Sequence, residues 1–70
     1  MIERLLTARE LAELLGVSAG TVLDWWELEP SDPRKLPGFK LGRVVRFRES
    51  EVEAWLEAQR GRRYETKVQV

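Results

Sequence analysis

The stretch LAELLGVSAGTVLDWW, residues 11 to 26, contains the spacing that decides the fold. Apolar residues recur at helical intervals on both sides of a break at residues 16 to 18. Ala12 is small enough for two helices to cross closely, and Gly16, four positions later, tolerates the positive φ of a tight turn. These offsets predict a helix-turn-helix, whose second helix typically enters a DNA groove. An ordinary helical hairpin without a ligand is the alternative that this stretch alone leaves open.

Residues at the ends of the two helices predict where each begins and stops. Thr7 followed by Glu10 is a capping box at the start of the first helix, and Leu6 is placed to pack as a hydrophobic staple. Gly16 suits the left-handed position that ends this helix. Ser18 is a good N-cap for the second helix. Local signals therefore delimit both helices.

The rest of the chain adds a hairpin and a third helix. PSDPRKLPG, residues 30 to 38, ends the second helix at about Leu28, because three prolines in nine residues cannot continue a helix. FKLGRVVRF, residues 39 to 47, alternates apolar and basic side chains around a glycine and predicts a β-hairpin. RESE, residues 48 to 51, starts a third helix with acids in its first turn, and Gly61 is expected to end it. This order predicts a mostly α winged helix-turn-helix with a small β-hairpin as its wing.

The sequence allows two registers for the hairpin. In the first, Gly42 and Arg43 form a two-residue turn, and Leu41 pairs with Val44. A glycine at the first loop position favours this register, because it suits a type II′ turn. The register also divides the apolar side chains of the hairpin between its two faces.

In the second register, residues 42 to 44 form a three-residue loop. Four apolar side chains then gather on one face: Phe39, Leu41, Val45 and Phe47. Lys40 and Arg46 lie side by side on the other face. We expect this register, because burying four apolar side chains outweighs one turn preference. In either register Arg43 is at the tip.

One domain is expected, formed by residues 1 to 61. Residues 62 to 70 are expected to be a tail that is frayed, forms a short strand or contacts a neighbouring protomer. Trp26 is expected beneath the proline-rich loop. The predicted core and structural positions are Leu11, Ala12, Leu15, Gly16, Val17, Val22, Trp25, Phe39, Leu41, Val45, Phe47, Val52, Trp55 and Leu56.

The composition argues against several classes of function. The 70 residues contain no cysteine and no histidine, so they lack disulfides, thiolate ligands and the commonest general base and metal ligand. Ser18, Ser31 and Ser50 are explained as caps, loop or surface, so we expect no catalysis, no cofactor and no metal. No apolar run approaches about 20 residues, and the N-terminal MIERLL lacks a signal-peptide pattern. A cytoplasmic protein that does not enter a membrane is expected.

The net charge is zero, but the charges are unevenly distributed. Residues 1 to 32 carry two arginines against seven acids, a net of −5. Residues 33 to 48 carry six basic residues and no acid, a net of +6. Residues 49 to 59 have a net charge of −4, and residues 60 to 70 have +3. A basic block of this kind is typical of nucleic-acid patches and also occurs on ordinary solvated surfaces.

Three longer motifs extend the helix-turn-helix pattern over most of the chain. They are LLTARELAELLGVSAGTV (residues 5 to 22), LPGFKLGRVVRF (36 to 47) and ESEVEAWLEAQ (49 to 59). Together they resemble the excisionase and AlpA-type DNA-binding proteins, which are related to the MerR N-terminal domain. The resemblance covers about residues 5 to 60. It implies that the second helix lies in the major groove of double-stranded DNA and that the wing contacts the neighbouring minor groove or phosphates.

The resemblance also implies a biological role. Excisionases of phages and integrated elements bind repeated sites near an attachment site, often head to tail, and bend DNA so that an integrase excises the element. AlpA-like relatives act as transcriptional regulators. We therefore expect a bacterial or phage-encoded, nucleoid-associated protein that binds DNA, self-associates head to tail on it and cooperates with an integrase.

The second helix departs from the family, whose members usually carry a basic or polar residue just after the serine and another near the middle of the helix. The DNA-contacting residues expected on this recognition helix are Ser18, Ala19, Gly20, Thr21 and Asp24. Ser18 and the N-terminal amides suit a phosphate, and Ala19 and Thr21 suit a thymine methyl group. Asp24 either accepts a hydrogen bond from cytosine N4 or is a surface acid kept away from DNA.

The wing is expected to supply most of the affinity, because phosphate neutralisation dominates non-specific binding. Its predicted DNA contacts are Lys40, Arg43 and Arg46, with weaker contributions from Arg34 and Lys35 in the approach to the wing. If about four of these cations neutralise phosphates, the log-log salt slope of binding is near −3.6, at about −0.9 per phosphate. Arg43 in a minor groove favours narrow, A·T-rich DNA.

A function of another class also agrees with the charge pattern. The acidic second helix would suit a protein-interaction module that binds a basic partner. RGRR, residues 60 to 63, is interpreted as solvated charge rather than as a minor-groove arm.

Overall fold

The computed structural model describes residues 2 to 66, with side chains as far as residue 60. Its elements in chain order are β1 (Leu5–Leu6), α1 (Ala8–Leu15), α2 (Ala19–Trp26), β2 (Phe39–Leu41), β3 (Val44–Arg48) and α3 (Glu49–Thr66). This is the predicted winged helix-turn-helix, with α1 and α2 as the two-helix unit and β2–β3 as the wing. None of the helices in residues 2 to 66 is long and apolar enough to cross a membrane.

The start of α1 is closed by the predicted capping box. The backbone N–H of Thr7 donates to Oε1 of Glu10, and the backbone N–H of Glu10 donates to Oγ1 of Thr7, both at 3.0 Å. Gly16 ends the helix in the left-handed region, with φ of 73°. Ser18 caps α2, because its Oγ accepts from the backbone N–H of Thr21 at 3.1 Å. The predicted caps of both helices are confirmed.

The proline-rich loop folds back over the C-terminal end of α2, which lies at Trp26 rather than near Leu28. The ammonium group of Lys35 donates to the carbonyl oxygen of Trp26 and lies 5.6 Å from the centroid of its ring. The backbone N–H of Leu36 donates to the carbonyl oxygen of Trp25 at 3.1 Å. Trp26 therefore lies beneath the loop as predicted, and Leu36 is fully buried, which the sequence did not indicate.

The wing strands belong to a three-stranded antiparallel sheet in the order β1-β3-β2. Leu5 pairs with Arg48 and Leu6 with Phe47, so the N-terminal segment lies along the inner strand of the wing. The sequence did not predict β1, because two residues are too few to display the period of a strand.

The predicted three-residue wing loop is wrong. Gly42 and Arg43 form a two-residue turn: Leu41 pairs with Val44, and φ is positive at Gly42 (64°) but not at Arg43, as in a type II′ turn. The remaining pairs of the ladder are Lys40 with Val45 and Phe39 with Arg46. Lys40 and Arg46 therefore lie on opposite faces of the hairpin, not side by side.

The physical reason is that β3 also pairs with β1 and packs on the helices. This arrangement directs only Val45 and Phe47 of the hairpin inward, and Phe47 is fully buried. Leu6 and Leu36 supply the apolar contacts that Phe39 and Leu41 were expected to provide. The two-residue turn therefore forms without loss of apolar contacts in the core.

The core lies where α1, α2, α3 and the inner face of the sheet meet. Its buried members are Leu6, Leu11, Ala12, Val22, Leu36, Phe47 and Val52. Half-buried side chains pack against them, including Leu15, Val17, Trp25, Val45 and Trp55.

Three predicted core positions differ from the expectation. Leu41 is 50% exposed and Leu56 is 40% exposed. Phe39 is half-buried outside the core cluster. Leu41 and Phe39 are on the outer face because of the two-residue turn, whereas Leu56 lies at the edge of the α3 stripe.

The N-terminus of α3 is capped from a distance. The carboxylate of Glu3 accepts hydrogen bonds from the backbone N–H of Ser50 at 3.0 Å and from its hydroxyl at 3.2 Å. The helix continues through Gly61 to Thr66, so the predicted stop at Gly61 is wrong. A single glycine reduces helix stability by only about 1 kcal/mol relative to alanine, which does not end a helix by itself. The predicted tail is thus helical as far as Thr66, and its last four residues, 67 to 70, lie outside the described residues.

Candidate nucleic-acid interface

The exposed side of α2 carries short side chains and no basic residue. Ser18, Gly20 and Asp24 are exposed, whereas Ala19 and Thr21 are half-buried. Ala19 packs against the core cluster, so only part of its methyl surface is left for a thymine contact. A Cβ at position 20 would meet only Oγ of Ser18, at 3.8 Å, so the surface around Gly20 is open. This side of α2 offers close approach rather than positive charge.

The wing places its predicted cations on different surfaces. Arg43 is exposed at the tip, and Lys40 is exposed on the face that also carries Val45. Arg46 is half-buried, and its Nη1 donates to the carbonyl oxygen of Val45 at 2.9 Å. Arg43 is therefore the wing cation that stands in the turn itself.

Arg48 is a wing cation that was not among the predicted DNA contacts. It follows Arg46 at the two-residue period of a strand, and this period is the signal that would have found it. Its guanidinium lies 5.6 Å from the centroid of the Phe39 ring, and its Nη1 is 3.7 Å from Oε1 of Glu3. The outer face of the wing thus carries Arg46 and Arg48 together.

Arg34 and Lys35 are held by contacts within the protein. The backbone N–H, Nε and Nη2 of Arg34 all donate to the carboxylate of Asp32, and this interaction raises the pKa of Arg34. The carbonyl oxygen of Arg34 accepts from Nε1 of Trp55 at 3.2 Å. The ammonium of Lys35 is bound to the end of α2. Both residues contribute positive charge near the wing, but these contacts hold them in the loop.

The family model that describes the helix-turn-helix domain matches residues 5 to 60. The chain belongs to this family of small DNA-binding domains. The match begins in β1 and extends into α3, so α1, α2 and the wing lie wholly inside it, and α3 lies inside it as far as residue 60. No curated protein and no solved structure matched the chain.

The helix-turn-helix domain separates negative and positive charge between its two candidate DNA-contacting elements. Asp24 and Glu27 are exposed on or next to α2, whereas the wing and its approach, residues 33 to 48, contain no acid. Among residues 2 to 60, no salt bridge involves Lys40, Arg43 or Arg46. Positive charge that is not engaged in salt bridges is therefore concentrated on the wing.

A separate apolar groove of about 360 Å³ lies between the helices of the helix-turn-helix domain. It is lined by Leu15, Val17, Trp25, Arg34, Trp55, Leu56 and Gln59. The rings of Trp25 and Trp55 lie 5.6 Å apart within it. Of the predicted DNA contacts, only Arg34 lines this groove, so it is distinct from the surface formed by α2 and the wing tip.

Proposed function

We propose that this helix-turn-helix domain is an excisionase, a DNA-bending protein that directs an integrase towards excision. The observation that carries the proposal is the contrast between the wing and α2. Arg43 stands at the tip of a wing without acids, whereas α2 exposes a serine, a glycine and an aspartate. The resemblance of residues 5 to 60 to excisionase and AlpA-type proteins supports the same function.

The contrast favours an architectural role for a physical reason. A protein that gains affinity from phosphates and the minor groove reads the shape and deformability of DNA more than its base edges. Such binding couples naturally to bending, because a bent duplex brings more phosphates to the protein. Base selection by α2 is then modest, and head-to-tail binding at adjacent sites supplies the remaining specificity.

A bending and excision assay tests this proposal. Duplex DNA from around the coding locus is titrated with the protein, and the bend is measured from the mobility of fragments with the site at different positions. We expect several shifted complexes, a pronounced bend and stimulation of excision by the cognate integrase. A single complex without a bend, together with a change in transcription, would instead identify an AlpA-like regulator.

The acidic surface of α2 favours a second candidate function. Asp24 and Glu27 are exposed, and no salt bridge among residues 2 to 60 involves either of them. This surface would suit a basic protein partner. Arg43→Ala separates the two functions, because it weakens DNA binding and leaves a partner on α2 unaffected.

A further inference from the structure

Two apolar side chains are exposed beside the tip of the wing. Leu41 is 50% exposed and Val44 is 44% exposed, and they are direct cross-strand partners on either side of the Gly42–Arg43 turn. Among residues 2 to 60 the other exposed large apolar side chains are Ile2, Leu14 and Leu56, none of which lies in the wing. The exposed pair is therefore a local feature of the tip.

The outer face of the wing combines this apolar pair with positive charge. Arg46 lies opposite Phe39 on the same face, and the guanidinium of Arg48 lies over the Phe39 ring. With Arg43 at the tip and no acid in residues 33 to 48, the face is complementary to a polyanion. The minor groove of DNA has this chemistry, because its walls present apolar deoxyribose carbons between rows of phosphates.

The width of the groove determines how far the wing enters. Two paired strands lie about 4.8 Å apart before their side chains are counted. The minor groove is about 6 Å wide, so only the tip of a hairpin fits inside it. The first cross-strand pair below the tip then lies at the groove wall, and that pair is Leu41 and Val44.

We propose that Leu41 and Val44 form an apolar contact with deoxyribose on one wall of the minor groove and so position Arg43 over the groove floor. This inference rests on the proposed function, since it requires the wing to enter the minor groove. It assigns a DNA-binding role to two residues that carry no charge and make no base-specific hydrogen bond.

The test replaces both residues by threonine, because threonine is β-branched, as Val44 is, and so favours strands, while its hydroxyl replaces apolar surface. We expect the Leu41→Thr, Val44→Thr double variant to bind duplex DNA about tenfold more weakly, with its salt slope unchanged, because no ion pair is lost. Protection of deoxyribose from hydroxyl radicals should disappear at the wing position. Leu41→Val should retain binding, because it stays apolar.

Two controls make the result specific to the wing tip. Leu14→Gln removes another exposed apolar side chain, 68% exposed on α1, and should bind like the wild type. Thermal melting of each variant, followed by circular dichroism, should show that the fold is retained, because the changed side chains are exposed.

Three outcomes would overturn the inference. Wild-type affinity in the double variant would remove the role of the apolar pair and leave the proposed function intact. A wild-type protein that binds DNA without bending it or protecting the minor groove would contradict the proposed function itself, and the inference with it. Loss of a DNA-independent dimer in the double variant would assign the pair to a protein interface.

Discussion

Glu3 and Ser50, 47 positions apart, are joined by two hydrogen bonds that close the N-terminus of α3. The backbone N–H of Ser50 lowers the pKa of the Glu3 carboxyl most, followed by the Ser50 hydroxyl and the charge of Arg48. A lowered pKa means that this carboxylate stabilises the fold when it is ionised. The contact also holds the N-terminal segment beside β3, the strand that carries the wing.

Glu3→Gln should lower the melting temperature at neutral pH. The stabilisation by ionised Glu3 is complete above its ordinary pKa of 4.5 and is lost as the pH falls through the lowered value. The melting temperatures of the variant and the wild type should therefore converge under acid conditions. Glu53→Gln is the control, because Glu53 is an exposed acid on α3, the helix that Glu3 caps. A melting temperature that differs equally between Glu3→Gln and the wild type at every pH would show that Glu3 stabilises the protein by packing rather than by charge.

Gly38→Ala should destabilise the domain by roughly 1–3 kcal/mol, measured by urea unfolding. A Cβ at position 38 would lie 2.7 Å from Cδ1 of Phe47 and 3.0 Å from Cδ1 of Trp26, so the core would have to shift. Gly20→Ala is the matched control. Its Cβ meets nothing closer than 3.8 Å, and alanine favours helix by up to about 1 kcal/mol. Equal stability of the two variants would contradict the tight packing at Gly38.

Arg43→Ala should weaken DNA binding and make the salt slope less steep by about 0.9, which corresponds to one phosphate. We expect a wild-type slope near −3.6, for about four phosphates. Lys35→Met is the comparison, because the Lys35 ammonium is bound to the Trp26 carbonyl oxygen. It should lower the melting temperature and leave the salt slope unchanged. A less steep salt slope in Lys35→Met would show instead that Lys35 neutralises a phosphate.

Asp24→Asn should strengthen binding to all duplexes by roughly threefold, because it removes a negative charge from the side of α2 that is expected to face DNA. Competition assays with DNA of different sequences measure this effect. A selective loss of binding at sites that contain one particular cytosine would show instead that Asp24 accepts a hydrogen bond from cytosine N4.

The placement of several interface residues could be predicted from the sequence, because it depends only on where each residue stands in the chain. Arg43 is at the wing tip in either hairpin register, and Ser18 opens α2 because it is a good N-cap. The faces taken by Lys40 and Arg46 depended on the register, and the predicted register was wrong. The contacts that Arg34 and Lys35 make within the protein could not be predicted, because they form only in the folded chain.

The sequence by itself determined the helix-turn-helix, because its signals are local. The partners of the Thr7–Glu10 capping box are three residues apart, and the Gly16 cap closes onto the preceding turn of α1. The tertiary structure alone decided the register of the wing, the pairing of β1 with β3 and the Glu3–Ser50 contact. These depend on which face of β3 the helices cover, and that competition between burial and turn geometry is settled only when distant segments pack together. The exposure of Leu41 and Val44 at the wing tip is the result of this competition.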